Sequence, residues 1–219
     1  MDSGSFPIDI VLFAMIAAFL VLRLRGILGK RTGFERPAAP APASGHGPVI
    51  EGAAEPPGPP APRRGLPDPR SAAGQALAAM ARIDPGFSPD RFLDGAAEAF
   101  RLIVHAFAAG DRATLRPLLG PEMMAAFEQA MAAREAEGQT QTTEIRALHE
   151  QRIEAAFLRE SLAEITVRFV SDQVNLTRDR DGHPVQGTDA VTEITDLWTF
   201  ERDLRAADPT WRLTGARSA

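Results

Sequence analysis

No cysteine occurs anywhere in the chain, which excludes a disulfide framework and any thiolate metal site and leaves the redox compartment open. Tyrosine is missing too. From residue 85 onward there is no lysine, and 15 arginines stand against 22 aspartates and glutamates. A nucleic-acid-binding domain needs the opposite sign. No glycine loop for phosphate, no paired-histidine spacing for zinc and no nucleophile-elbow signature is present, so nucleotide hydrolysis, zinc hydrolysis and serine hydrolysis have no sequence support.

What remains is distributed unevenly. Eleven of the 18 prolines fall between Pro37 and Pro69, and the longest uncharged apolar run lies within the first 22 residues. The chain therefore reads as unlike segments in series: an anchor at 1–36, a spacer at 37–70, a short helix at 71–84 and a domain at 85–216.

Ile10 to Leu22 is uncharged and covers about 20 Å of a hydrocarbon layer about 30 Å thick. Counting Phe6 to Leu24 extends the span to about 28 Å, with Asp9 near one interface and Arg23 snorkelling out of the other. Ile10, Leu12, Phe13, Ile16, Phe19, Leu20 and Leu22 are the expected anchor residues of one transmembrane helix. Arg23, Arg25, Lys30 and Arg31 come next, positioned for headgroups of anionic lipid at about 1 kcal/mol each.

A cleavable signal would carry its positive charge before the apolar run, whereas here it comes after. The expectation is a single pass through the inner membrane, amino terminus outside and domain cytoplasmic. A buried or interfacial helix of a soluble protein also accommodates such a run.

Residues 37–70 are dominated by proline, alanine and glycine and bury too little to offset chain entropy, so a disordered tether reaching about 30 Å is expected. A proline-motif ligand for an adaptor domain is the competing reading. His46 lies here without a clustered partner for metal.

Beyond the spacer the periodicity becomes helical. Leu77, Met80 and Ile83 mark a short helix. Ser88 as cap, Pro89 at the first position and acidic Asp90 open a longer one, with Phe92, Ala96, Ala99, Phe100, Ile103 and Phe107 on one face and Gly110-Asp111 as its stop. Met123, Met124, Phe127 and Met131 come after Pro121 on a further helix, either as adaptable core or as a groove.

After Gly138 the period changes to two. Ala163, Ile165, Val167 and Phe169 alternate with polar residues, Thr188 to Phe200 alternates again, and Thr210 to Thr214 adds a short strand, with a hairpin loop at Asp179 to Gly187. This order predicts an α+β fold, helices packed on one face of a curved antiparallel sheet.

Phe92-Leu93-Asp94-Gly95-Ala96, the Gly110-Asp111 break, Arg168 to Val174, and above all Asp196-Leu197-Trp198-Thr199-Phe200-Glu201-Arg202 with Pro209-Thr210-Trp211 resemble the Tim-forty-four-like domain family. The head, Ile8 to Ala18 with Leu22-Arg23-Leu24-Arg25 and Arg31 to Pro37, is similar to the start of the bacterial TimA-type adaptors. The resemblance implies a nuclear-transport-factor-two-like cone, an inner-membrane anchor, and a scaffold role in protein translocation or membrane-complex assembly without catalysis or cofactor. It departs from the mitochondrial tether in lacking that protein's long motor-binding amino-terminal region.

Strand parity gathers Val167, Phe169, Ile194, Trp198, Phe200, Trp211 and Leu213 on one face, where they form either a pocket for a partner protein or lipid, or an ordinary core. Trp198 is expected in the core, with Phe169 or Trp211 nearer a mouth. Asp196 shares that parity. Buried, it would serve as an acid or base of a pocket enzyme; otherwise it pairs with Arg168 or Arg202, or faces solvent. Isomerase-type members of the cone fold also use a tyrosine, which this chain lacks. His105 reads as a structural helix residue or a base, His149 as part of a solvated strand face, and His183 as a loop residue; no metal ligand set is expected.

Overall fold

The computed structural model describes residues 63–218. The anchor expected at 1–36, with its lipid-facing and headgroup residues, lies outside the described residues, as does most of the spacer. No helix among the described residues is long and apolar enough to cross a membrane.

The elements run β1 (Arg63–Gly65), α1 (Ala72–Ile83), α2 (Pro89–Ala109), α3 (Arg112–Leu115), α4 (Pro121–Ala136), β2 (Thr140–Arg159), β3 (Leu162–Arg178), β4 (Pro184–Asp203) and β5 (Arg212–Ser218). The helices start where side chains can satisfy their free N–H groups. Ser71 Oγ accepts from the Gly74 amide at 3.0 Å, and Ser88 Oγ accepts from the Arg91 amide at 3.5 Å. Asp111 caps the single turn of α3 through Thr114. α2 ends at Gly110, whose φ of 73° is the left-handed conformation that glycine adopts without steric cost.

The end of α2 is closed by a neighbour. Arg134 of α4 donates to the Phe107 and Ala108 carbonyls at 2.8 and 3.3 Å, lies over the Phe107 ring, and bonds Gln141 at the start of β2. The Phe107 carbonyl also accepts from the Gly110 amide at 3.2 Å, whereas the Ala108 carbonyl is satisfied by Arg134.

The sheet order is β1-β2-β3-β4-β5, antiparallel except that β1 runs parallel to β2. The fold is thus α+β with a mixed sheet, and the wholly antiparallel expectation is corrected by one strand. That strand also shortens the expected spacer: Arg63–Gly65 pairs with Glu150–Arg152. Three residues of edge strand draw their order from the partner strand, a source that local composition does not display.

Leu77 and Met80 of α1, the short helix expected at 71–84, are buried in the same core as α2 and the sheet. β5 begins at Arg212 and reaches Ser218, later than the expected Thr210 to Thr214. β2 is a 20-residue strand whose alternation is broken by register shifts at Ile145/Ala147, Leu148/Glu150 and Ile153/Ala155. Each bulge reverses the face presented by the residues beyond it and erases the period-two signal.

The core forms where α2 lies on the sheet. Ala163, Ile165, Val167 and Phe169 of β3 have no exposed surface. Phe100 of α2 stacks on Phe169 at 4.5 Å between centroids and meets Trp198 edge-on at 4.8 Å. On the second part of the helix layer, Met124 and Met131 are buried and Phe127 packs on Phe107 at 4.7 Å, so the methionine face is core.

Candidate functional site

The aromatic residues of the sheet fall into two sets. Val167, Phe169, Trp198 and Leu213 are sealed beneath the helices, and Ile194 is partly buried further along β4. The first four belong to the core, the second of the two readings offered for this face, and Phe100 fills the space over Phe169 and Trp198. Of the expected pocket residues, Phe200 and Trp211 line an open cleft.

That cleft, about 310 Å³, opens where the α1–α2 loop, the first half of α2 and the end of β4 converge. Phe87 and Phe92 join Phe200 and Trp211 to make its apolar wall. Phe92 meets Trp211 at 4.8 Å and Phe200 at 6.0 Å, both edge-on, and Phe87 lies 5.9 Å from Trp211. Gly86, Gly95, Ala96 and Ala99 keep the mouth free of bulk. At Gly95 a side-chain carbon would meet nothing within 4 Å.

Two arginines complete the lining. Arg202, with its side chain 13% exposed, pairs with Asp84 at 3.1 Å, while its Nε is buried with no acceptor among the described residues. Arg91 reaches the Gly86 carbonyl at 3.4 Å and has no carboxylate partner among the described residues. A guanidinium carries five donors, so both retain hydrogen-bonding capacity beside an apolar wall. The arrangement can hold an apolar group and an anionic one side by side.

Asp196 lies apart from this cleft. It sits on the inner face, directly across from Phe169 on β3 and Ser218 on β5. Ser218 Oγ donates to Asp196 Oδ1 at 3.1 Å. Burial pushes its carboxyl up to about 6, while side-chain hydrogen bonds from Ser218 and Gln173 pull the other way. Neither expected arginine pairs with it: Arg168 is 3.8 Å from Glu150, and Arg202 is held by Asp84.

His105 is exposed on α2, and His183 lies in its loop 3.7 Å from Asp179. His149 Nε2 is 2.8 Å from Asp172 Oδ2, and Asp172 stands directly opposite Glu193. Potential ligand atoms of the three residues lie within 4.8 Å of one another. They come from three strands, and His149 is the extra residue of a β2 bulge, so no spacing along the sequence announces the cluster.

Phe87, Arg91 and Gly95 were missed as cleft residues as well. The available signal was Gly95 on a helix with an otherwise continuous apolar face, a position where helix propensity alone disfavours glycine.

A helix layer on one face of a mixed sheet, with an aromatic cleft at one end, defines an α+β domain. The model of the Tim44-like domain matches residues 73–218, well over half of the chain, and the chain belongs to that family. Among solved structures it is similar to the intermembrane-space region of the chloroplast protein ARC6, at 13% identity over 60% of this chain and 97% of that one, with a TM-score of 0.46. An NTF2-like family protein from Streptomyces avermitilis gives 13% identity, 60% and 96% coverage and a TM-score of 0.36. An NTF2-like superfamily protein from Salmonella enterica gives 11%, 60%, 92% and 0.36. No curated protein matches the chain.

Proposed function

We propose that the protein is an adaptor of the bacterial inner membrane, of the TimA type, whose Tim44-like domain docks a partner protein during protein translocation or membrane-complex assembly. The observation that carries this reading is the cleft of Phe87, Phe92, Phe200 and Trp211 with Arg91 and Arg202 beside it, on a domain whose family supports a membrane-associated scaffold role. The anchor is residues 1–36, crossing once with the amino terminus outside. Arg23, Arg25, Lys30 and Arg31 hold anionic headgroups, and the spacer lets the domain search about 30 Å around its attachment.

Alkaline carbonate extraction tests the anchor: full-length protein should stay with the membrane pellet, and its release to the supernatant removes the anchored reading. In-cell crosslinking from a photoreactive residue at Gly95 tests the docking site. It should yield discrete adducts that are lost when Trp211 is replaced by Ala.

A second reading is a pocket enzyme using Asp196, and the carboxyl held at about 6 favours it. Its weakness is position, because Asp196 is not part of the cleft lining. Growth and turnover of a small apolar substrate that are unchanged in Asp196→Asn would end it.

A further inference from the structure

The cleft's apolar wall and its arginines make separate demands on an occupant. A purely apolar partner would cover exposed Arg91 and strip water from its unpaired donors, at a desolvation cost. Asp84 engages Arg202 through Nη2 at 3.1 Å, which leaves Nη1 outside that pair. Arg91 has spent one donor on the Gly86 carbonyl at 3.4 Å, a long bond that a carboxylate would outcompete. The rest of the domain is acidic, with 22 acidic residues against 15 arginines from residue 85 onward. An arginine pair with free donors is therefore a local feature set against the prevailing charge.

Size decides what bears the negative group. A volume of about 310 Å³ is at the lower end of small-molecule sites and suits one or two protein side chains better than a long acyl chain. Gly86, Gly95 and Ala99 at the mouth allow a main chain to approach closely.

Resting on the reading of this cleft as the adaptor's docking site, we propose that its partner is an acidic amphipathic peptide segment. A bulky apolar side chain of that segment lies against the exposed part of Trp211, and an adjacent carboxylate is held by Arg91 and Arg202. Asp84 then acts as the internal competitor: it keeps Arg202 oriented when the cleft is empty and shares it when the peptide binds.

The test uses the full-length chain in detergent micelles and a short fluorescein-labelled peptide with Phe and Glu one helical turn apart. Its counterpart has Gln in place of Glu. Anisotropy should show the Glu peptide binding about tenfold tighter than the Gln peptide, in the range of one charge-assisted hydrogen bond. Arg91→Gln, at an exposed position, should abolish that preference. Gly95→Leu should block both peptides without lowering the thermal midpoint.

Equal affinity for the two peptides, or a preference that survives Arg91→Gln, overturns the proposal. So does displacement of the Glu peptide by oleate at lower concentration than by unlabelled peptide, which would make the occupant a lipid. Absence of binding by either peptide also overturns it, while crosslinking from Gly95 and carbonate extraction would still decide the adaptor reading independently.

Discussion

Phe169 and Trp211 approach the same helix and meet different fates. Phe169, on the central strand, lies under Phe100 and has no exposed surface. Trp211, just before the edge strand β5, meets Phe92 with one edge and leaves part of its ring at the cleft. The difference comes from what α2 presents along its length: Phe100 over the middle of the sheet, Gly95 and Ala99 over its end. A large side chain closes the sheet and small ones leave it open, so one helix builds both the core and the cleft.

Truncation should separate the two regions most clearly. Phe169→Ala should cost about 3–5 kcal/mol and Trp211→Ala about 1–2 kcal/mol, because part of the Trp211 ring is already hydrated. Urea unfolding of the full chain followed by tryptophan fluorescence measures both. Equal losses would mean that the cleft is structural core.

Asp196 sharpens the comparison by pH. Its carboxyl binds a proton more tightly folded than unfolded, with a folded value of about 6 against an ordinary value near 3.8. Its contribution is therefore most favourable below about pH 4, falls as pH rises to about 6, and stays low above that. Asp196→Asn should stabilise the protein by about 1–3 kcal/mol at pH 8 and flatten the profile between pH 4 and 7, relative to the parent. A parallel displacement of both profiles would refute the assignment.

The two helix glycines should respond with opposite sign. At Gly74 a side-chain carbon would come within 2.2 Å of the Asp68 carbonyl oxygen, so Gly74→Ala should cost about 1–3 kcal/mol. Gly95→Ala has open space and should gain up to about 1 kcal/mol. Thermal midpoints report both, and a destabilising Gly95→Ala would show that the cleft is tighter than drawn. Ser88→Ala, which removes the cap of α2 beside the cleft, should cost about 1 kcal/mol by the same measurement.

Much of this architecture was legible in the residues. Ser88-Pro89 and Gly110 announce both ends of α2 because capping and the left-handed turn are local chemistry. Ala163 to Phe169 announces the central strand because no bulge interrupts its pairing with β4 there. β2 escaped reading since its three register shifts scramble the alternation, and β1 since pairing rather than composition orders it. The cleft was half legible: Phe200 and Trp211 follow from parity, whereas Arg91 and Gly95 enter from a helix, and Phe87 from the loop before it, whose placement over the sheet is a tertiary fact.

Arg134 has a consequence for how the molecule opens. Its fork joins the last carbonyls of α2 to the body of α4 and, through Gln141, to the start of β2. α4 cannot lift away without stripping the Ala108 carbonyl of its donor and exposing the Phe107–Phe127 contact. Backbone amides of the final turn of α2 and of α4 should therefore exchange with deuterium at a common rate, as one cooperative opening unit, and Arg134→Lys, with a point charge in place of a planar fork, should divide that unit in two.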